Sequence, residues 1–275
     1  MAGTPMLAGV IGWPVKHSLS PVIHTAAAKA TGVDLIYTAI EVEPGHSLAA
    51  LERMRDDNIR GYSVTMPHKE AVIDGLDELT PSAVALGAVN HITNTNGHLV
   101  GNNTDGDGFV LGYKHAGGSP IAGRVVCVLG SGGAARAIIE ACYRHGAAEV
   151  VVIARSPERA VIAAQLAGDR GRVGTHDDLN SCDVLVNATP IGMAETAQAG
   201  ELAADVSRLQ AHATVADIVY NPAETPLLQA ATQRGLQVVG GITMLVGQAA
   251  EQFTSWTSVV APLDAMFAAV ATPEA

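Results

Sequence analysis

Aromatic residues are scarce in this chain: three Phe, two Trp and five Tyr make up 4% of its 275 residues. A core must therefore be built from aliphatic side chains, and Ala, Val, Leu and Ile carry most of the 48% hydrophobic content. With 29 glycines, that composition suits a parallel sheet under closely packed helices. Cysteine is sparse too. Cys127, Cys142 and Cys182 are scattered, odd in number and without a C-x-x-C spacing. That argues against a disulfide framework or a zinc site and fits a reducing compartment.

Positive charge is short as well: 16 Lys+Arg stand against 27 Asp+Glu, a net charge of -11. A general nucleic-acid or membrane-surface binder needs a basic face and is not expected. An anionic ligand at a helix N-terminus stays open. No apolar run approaches the roughly 18 residues of a membrane span, and residues 1–6 lack a basic n-region. The expectation is a soluble, cytoplasmic protein. None of the 10 histidines falls in a His-x-x-x-His pattern and no paired-carboxylate spacing occurs, so no metal is expected.

What is present is alternation. Length alone predicts about two domains. Residues 7–11, 35–41 and 62–65 read as strands, with Ser20-Pro21 as N-cap and first-turn proline of a helix ended by Gly32. Residues 47–55 have helical spacing, and a further helix is expected to start near Pro67. Asn96-Gly97 between 90–95 and 98–100 signals a hairpin. This half is predicted as an α/β unit with a mostly parallel sheet. Past Gly117-Gly118-Ser119-Pro120, a plausible linker, strands at 125–129, 150–154, 184–187, 215–219 and 237–239 alternate with helices. That pattern implies a doubly wound sheet. The tail over 244–271 is helical and apolar.

Gly130-Ser131-Gly132-Gly133-Ala134-Ala135 follows the 125–129 strand and opens a helix over 134–144, matching G-x-G-x-x-A. Gly130 permits the tight turn, Gly132 lets a pyrophosphate approach the backbone, and Ala135 allows close helix packing. The next strand ends in Ala154-Arg155-Ser156-Pro157-Glu158-Arg159, with no acid at its tip for a ribose hydroxyl. Arg155 can pair with a 2′-phosphate and Ser156 can add a hydroxyl, which favours NADP over NAD.

Three polar clusters lie in the first half. Ser18 and Ser20 put two hydroxyls at a helix N-terminus, a seat for a carboxylate or ordinary capping. Lys69 follows a strand end and is expected in a first helical turn, near the positive end of the helix dipole. A carbonyl reductase needs a tunable proton donor, a role lysine suits, although a solvated surface lysine fits the same position. Asp105 reads either as an N-cap or as a partner for chemistry.

Taken in order, Ser18-x-Ser20-Pro21, Ser63-Val64-Thr65-x-Pro67-x-Lys69, Gly87-Ala88-Val89-Asn90 and Asn103-Thr104-Asp105-x-x-Gly108 form a pattern. It continues through the Gly130 loop, Asn187-Ala188-Thr189-Pro190-x-Gly192-Met193, Asp217-x-x-Tyr220-x-Pro222-x-x-Thr225-Pro226 and Met244-Leu245-x-x-Gln248-Ala249. Along nearly its whole length the chain resembles the shikimate dehydrogenases. Two positions depart from the usual pattern: Ser63 stands where asparagine is common, and Ala154 where asparagine often precedes Arg-Ser/Thr.

The resemblance implies NADPH-dependent, reversible reduction of 3-dehydroshikimate to shikimate in aromatic amino-acid biosynthesis. It implies a substrate domain over 1–105 joined by returning helices of 242–275, a Rossmann-type NADP domain over 106–241, and a cleft between them. Ser18, Ser20 and Tyr220 would hold the substrate carboxylate. Thr65, Lys69, Asn90, Asp105 and Gln248 would line the ring hydroxyls and the reacting oxygen, with Lys69 and Asp105 catalytic. The cofactor would meet Gly130, Ser131, Gly132, Gly133, Ala134, Ala135, Arg155, Ser156, Arg159, Thr189, Met193, Val219 and Gly241. The partner is a small molecule, the chain a monomer or homodimer. Quinate/shikimate and aminoshikimate dehydrogenases share the scaffold, and Arg155 argues against NAD preference. A non-catalytic NADP-binding sensor is the rival of another class, against which the presence of both Lys69 and Asp105 speaks.

Overall fold

A computed structural model describes residues 4–271. The described residues up to Thr104 and from Gln248 onward form one compact unit, and Asp105–Gly247 forms a second.

The first unit holds a six-stranded mixed sheet. Its strands are β1 (Met6–Gly12), β2 (Leu35–Glu41), β3 (Gly61–Val64), β4 (Glu78–Leu79), β5 (His91–Thr95) and β6 (His98–Asn102). Their order is β2-β1-β3-β5-β6-β4. The β1–β2, β1–β3 and β4–β6 pairings are parallel and the two made by β5 antiparallel. The β5–β6 hairpin turns at Asn96 (φ 55°) and Gly97 (φ 90°), the two left-handed residues that a two-residue turn requires. Gly61 has no side chain because the Trp256 ring lies where a Cβ would stand.

Helices α1 (Ser20–Thr31), α2 (Ser47–Asp56) and α3 (Pro81–Leu86) complete this part of the chain. Gly32 ends α1 in the left-handed region, at φ 72°. Two sequence expectations are corrected here. Ser20 is not the N-cap of α1: Leu19 holds that position, and Ser20 is the first helical residue, its amide donating to Ser18 Oγ at 3.2 Å. The helix expected near Pro67 does not form either. Residues 67–75 run through turns into a single 3-10 turn, Ile73–Gly75. The Lys69 carbonyl accepts from the Val89 amide at 2.7 Å, a non-local bond that takes it out of any local ladder. No helix dipole therefore acts on Lys69. Strand β4 and helix α3 lay outside the sequence reading.

The second unit is more regular. Its strands are β7 (Val125–Leu129), β8 (Glu149–Ile153), β9 (Gly171–Val173), β10 (Val184–Asn187), β11 (Thr214–Asp217) and β12 (Gln237–Val239). All pairings are parallel, in the order β12-β11-β10-β7-β8-β9. Helices α4 (Asp105–His115), α5 (Gly133–Arg144), α6 (Pro157–Gln165) and α7 (Pro226–Gln233) belong to this unit. Val126, Val128, Val150, Val152, Val184 and Val186 feed one core, and Cys127, Leu129, Val151, Ile153 and Leu185 the other. This alternation coats both sheet faces, as a doubly wound fold demands. The strand order reverses between β7 and β10, the point where such sheets bind nucleotides. The tail forms α8 (Ile242–Thr257) and α9 (Leu263–Ala271). Among the described residues no helix is long and apolar enough to cross a membrane.

Candidate active site

In the second unit, a cavity of about 820 Å³ opens where β7, β8 and β10 end. Gly130, Ser131, Gly132, Arg155, Ser156, Arg159 and Thr189 line it. Gly130 has φ 114°, and a Cβ there would stand 2.8 Å from the Ala188 carbonyl oxygen. Only glycine tolerates both conditions. Gly132 caps α5 without any side-chain hydrogen bond, and a Cβ on Gly132 or Gly133 would meet nothing within 4 Å. The first turn of α5 therefore has no side-chain cap and lies at the positive end of a three-turn helix. Arg155 is exposed just past the tip of β8 and Arg159 in the first turn of α6, which Ser156 caps through the Arg159 amide. These features fit a phosphate-rich dinucleotide carrying an extra phosphate on its ribose.

The other cofactor candidates sit elsewhere. Gly133 and Ala134 are in the first turn of α5, and Ala135 is buried in the core. Met193 is 38% exposed, and Val219 is buried with its amide donating to Asp217 Oδ1 at 3.0 Å. Gly241 lies against the carbonyls of Ile218 and Val219. Sequence reasoning missed Thr175, His176 and Gln198, which also line the cavity. They follow the three-residue strand β9 or lie in a loop, where no periodicity marks them.

Two of the chain's motifs form a latch behind this cavity. Asn187 Nδ2 donates to Asp217 Oδ1 at 2.9 Å, and Thr225 Oγ1 donates to Asp217 Oδ2 at 2.7 Å. Thr189 donates to Asn187 Oδ1 through both its amide and its hydroxyl. Burial pushes the Asp217 carboxyl above its ordinary range, against the pull of these donors. The latch fixes the loops after β10 and β11.

In the first unit, the substrate candidates surround a buried polar network. Tyr37 Oη donates to Ser63 Oγ at 2.6 Å, and Ser63 Oγ donates to Gln252 Oε1 at 2.5 Å. Gln252 Nε2 points to Gln248 Oε1 at 2.7 Å, Thr104 Oγ1 at 3.2 Å and the Asn90 carbonyl at 3.3 Å. Asn90 Oδ1 accepts from the Thr104 amide at 2.7 Å and hydroxyl at 3.2 Å. Burial raises the Tyr37 phenol, while hydrogen bonds to Ser63 and Ser20 lower it. Ser20, Asn90 and Gln248 are thereby joined through Tyr37, Ser63 and Gln252, three residues that sequence reasoning did not place in the site.

Thr65 and Lys69 are half-buried beyond the end of β3. The Thr65 amide donates to Ile11 at 3.0 Å, and His68 Nε2 donates to the Val42 carbonyl at 2.7 Å, which anchors the turn carrying Lys69. Ser18 is half-buried beside Ser20. In the second unit, Asp105 is buried as the first residue of α4, and Tyr220 is 51% exposed beyond β11. Among the described residues no cluster of His, Cys, Asp or Glu could hold a metal ion.

The chain is similar to known proteins over almost all its length. Residues 10–92 match the shikimate dehydrogenase substrate binding domain, and residues 241–270 the shikimate 5′-dehydrogenase C-terminal domain. Residues 125–220 match the family described as NADP oxidoreductase, coenzyme F420-dependent. The shikimate dehydrogenase (NADP(+)) of Moorella thermoacetica is 41% identical, covering 94% of this chain and 90% of its own. The shikimate 5-dehydrogenase of Thermus thermophilus, solved with NADP(H) and shikimate, superposes with a TM-score of 0.87 at 34% identity, covering 96% of this chain and 98% of that one. Quinate dehydrogenase of Corynebacterium glutamicum, solved with NAD, gives 0.86 at 31% identity, covering 96% and 98%. Two cofactors on so similar a fold leave preference to the strand tip rather than the fold.

Proposed function

This chain belongs to the shikimate dehydrogenase family, and on that premise we propose that it catalyses the reversible NADPH-dependent reduction of 3-dehydroshikimate to shikimate. The observation that carries the reading is the first unit's buried network, in which Ser20, Asn90 and Gln248 are joined by hydrogen bonds. A polyhydroxylated ring acid needs such a set of matched donors and acceptors, because unmatched polar groups are costly when buried.

When bound, NADPH supplies the hydride that reduces the ketone carbon. The residues of this chain do the rest. Gly130, Ser131 and Gly132 seat the pyrophosphate, and Arg155 with Ser156 and Arg159 takes the 2′-phosphate. Ser18 and Ser20 hold the substrate carboxylate, while Thr65, Asn90 and Gln248 fix the ring hydroxyls. Negative charge grows on the ketone oxygen as the new C–H bond forms. Lys69 and Asp105 are the catalytic residues: the Lys69 ammonium stabilises that charge and gives up one proton to complete the alcohol. Positioned proton transfer of this kind contributes roughly 10²–10⁴ in rate. In the reverse direction Lys69 takes the proton back.

The test is a matrix of initial rates on shikimate, quinate and aminoshikimate, each with NADP+ and NAD+. The highest kcat/KM is expected for shikimate with NADP+. A preference for quinate with NAD+, or turnover of none of the three, would overturn the assignment.

A further inference from the structure

Proton counting in the buried network fixes which way two glutamine amides on α8 face. Gln252 is fully buried on α8, four residues and one turn from Gln248, so the two side chains share a helix face. The Asn90 carbonyl can only accept, so the Gln252 atom facing it at 3.3 Å must be the amide nitrogen. The opposite atom, Oε1, is then an acceptor, which matches the single Ser63 proton aimed at it. Ser63 in turn accepts from Tyr37. Each donor along Tyr37, Ser63 and Gln252 points the same way.

That polarity dictates the next amide. Gln252 Nε2 lies 2.7 Å from Gln248, so the Gln248 atom facing it must accept, and it is Oε1. Gln248 therefore turns its NH2 group away from Gln252. Resting on the reading of Gln248 as a ring-hydroxyl ligand, we propose that Gln252 is a positioning residue that fixes Gln248 as a hydrogen-bond donor toward the substrate. The chain presents serine at 63, and its short side chain reaches only as far as Gln252 Oε1; the Gln252 amide extends the relay to Asn90, Thr104 and Gln248.

The experiment compares Gln252→Glu, Gln252→Met, Gln248→Ala and the Gln248→Ala/Gln252→Met double variant. It reads kcat, the KM for shikimate, the KM for NADP+ and the melting temperature. Gln252→Glu puts an acceptor where a donor stood and invites Gln248 to flip, so the shikimate KM should rise about tenfold, the size of one mispaired buried group. The NADP+ KM should stay within about twofold of wild type, because no cofactor contact changes. Gln252→Met keeps the volume and loses the polarity, and covers the case in which the glutamate variant does not fold. In the Gln248→Ala background, Gln252→Met should add less than about twofold, since it acts through Gln248. A shikimate KM unchanged in both Gln252 variants would overturn the proposal. So would full additivity with Gln248→Ala, or a drop in melting temperature with both KM values rising together. An unchanged shikimate KM in Gln248→Ala alone would instead remove Gln248 from the substrate site, and the proposal with it.

Discussion

The two units bury different chemistry. The interior of the second is apolar on both sheet faces apart from a few buried polar groups such as the Asn187–Asp217–Thr225 latch, and its cavity is shaped by a glycine turn and strand-tip side chains. The first buries Ser20, His24, Ser63, Asn90, His91, Asn94 and Gln252 among its apolar residues. The contrast follows from the ligands. Phosphates are held well by backbone N–H groups and exposed guanidinium groups, so the second unit's buried polar groups serve its loops rather than the ligand directly. A ring bearing hydroxyls has to be matched atom by atom with side chains, and those side chains need buried partners of their own.

Acid should separate the two units most strongly. His24 and His91 are buried in the first unit, and burial lowers each to about 3; His91 adds to the effect on His24. Both His24 ring nitrogens lack a hydrogen-bond partner, and the ring stacks on Tyr37 at 4.1 Å. Unfolded, each histidine takes up a proton below about pH 6.5, which the folded state refuses. Stability is therefore complete above that pH and falls as pH drops toward 3. At pH 5 the loss is about 2 kcal/mol per histidine, or about 4 kcal/mol for the pair. Every histidine of the second unit is exposed. Denaturant melts at pH 7.5 and 5 measure the loss, and His24→Phe should remove about half of it. A stability that is flat over this range would refute the neutral buried pair.

Next in size is Lys69→Ala. Its kcat should fall at least about a hundredfold, roughly 2.7 kcal/mol, with the shikimate KM changing only a few-fold. Near-normal turnover in steady-state assays would remove Lys69 from the chemistry. Gly130→Ala sharpens the comparison from the other side. A side chain at φ 114°, 2.8 Å from a carbonyl oxygen, should lower stability by about 1–3 kcal/mol and weaken NADP+ while leaving shikimate affinity unchanged. Wild-type NADP+ affinity in a titration would mean that the turn does not shape the site.

The same contrast governs what could be read from the residues alone. The G-x-G-x-x-A turn and the Asn96-Gly97 hairpin follow from local rules of backbone conformation and are each legible within about ten residues, and the all-parallel second sheet follows from strand–helix alternation over 125–239. The Tyr37–Ser63–Gln252 network is not, because its members lie 26 and 189 positions apart. Ser63, standing where asparagine is common, and the four-residue spacing of Gln248 and Gln252 are the hints the sequence carries. The missing helix after Pro67 has the same origin: local propensity favours a helix, but the Lys69 carbonyl and the His68 ring are engaged by Val89 and Val42.

Separate calorimetric titrations of NADP+ and shikimate into Ser18→Ala and Arg155→Ala test the division of labour between the units most directly. Ser18→Ala should weaken shikimate about tenfold with NADP+ unchanged, and Arg155→Ala should weaken NADP+ by about tenfold or more with NAD+ and shikimate unchanged. A cofactor defect in Ser18→Ala, or equal losses of NADP+ and NAD+ in Arg155→Ala, would contradict it.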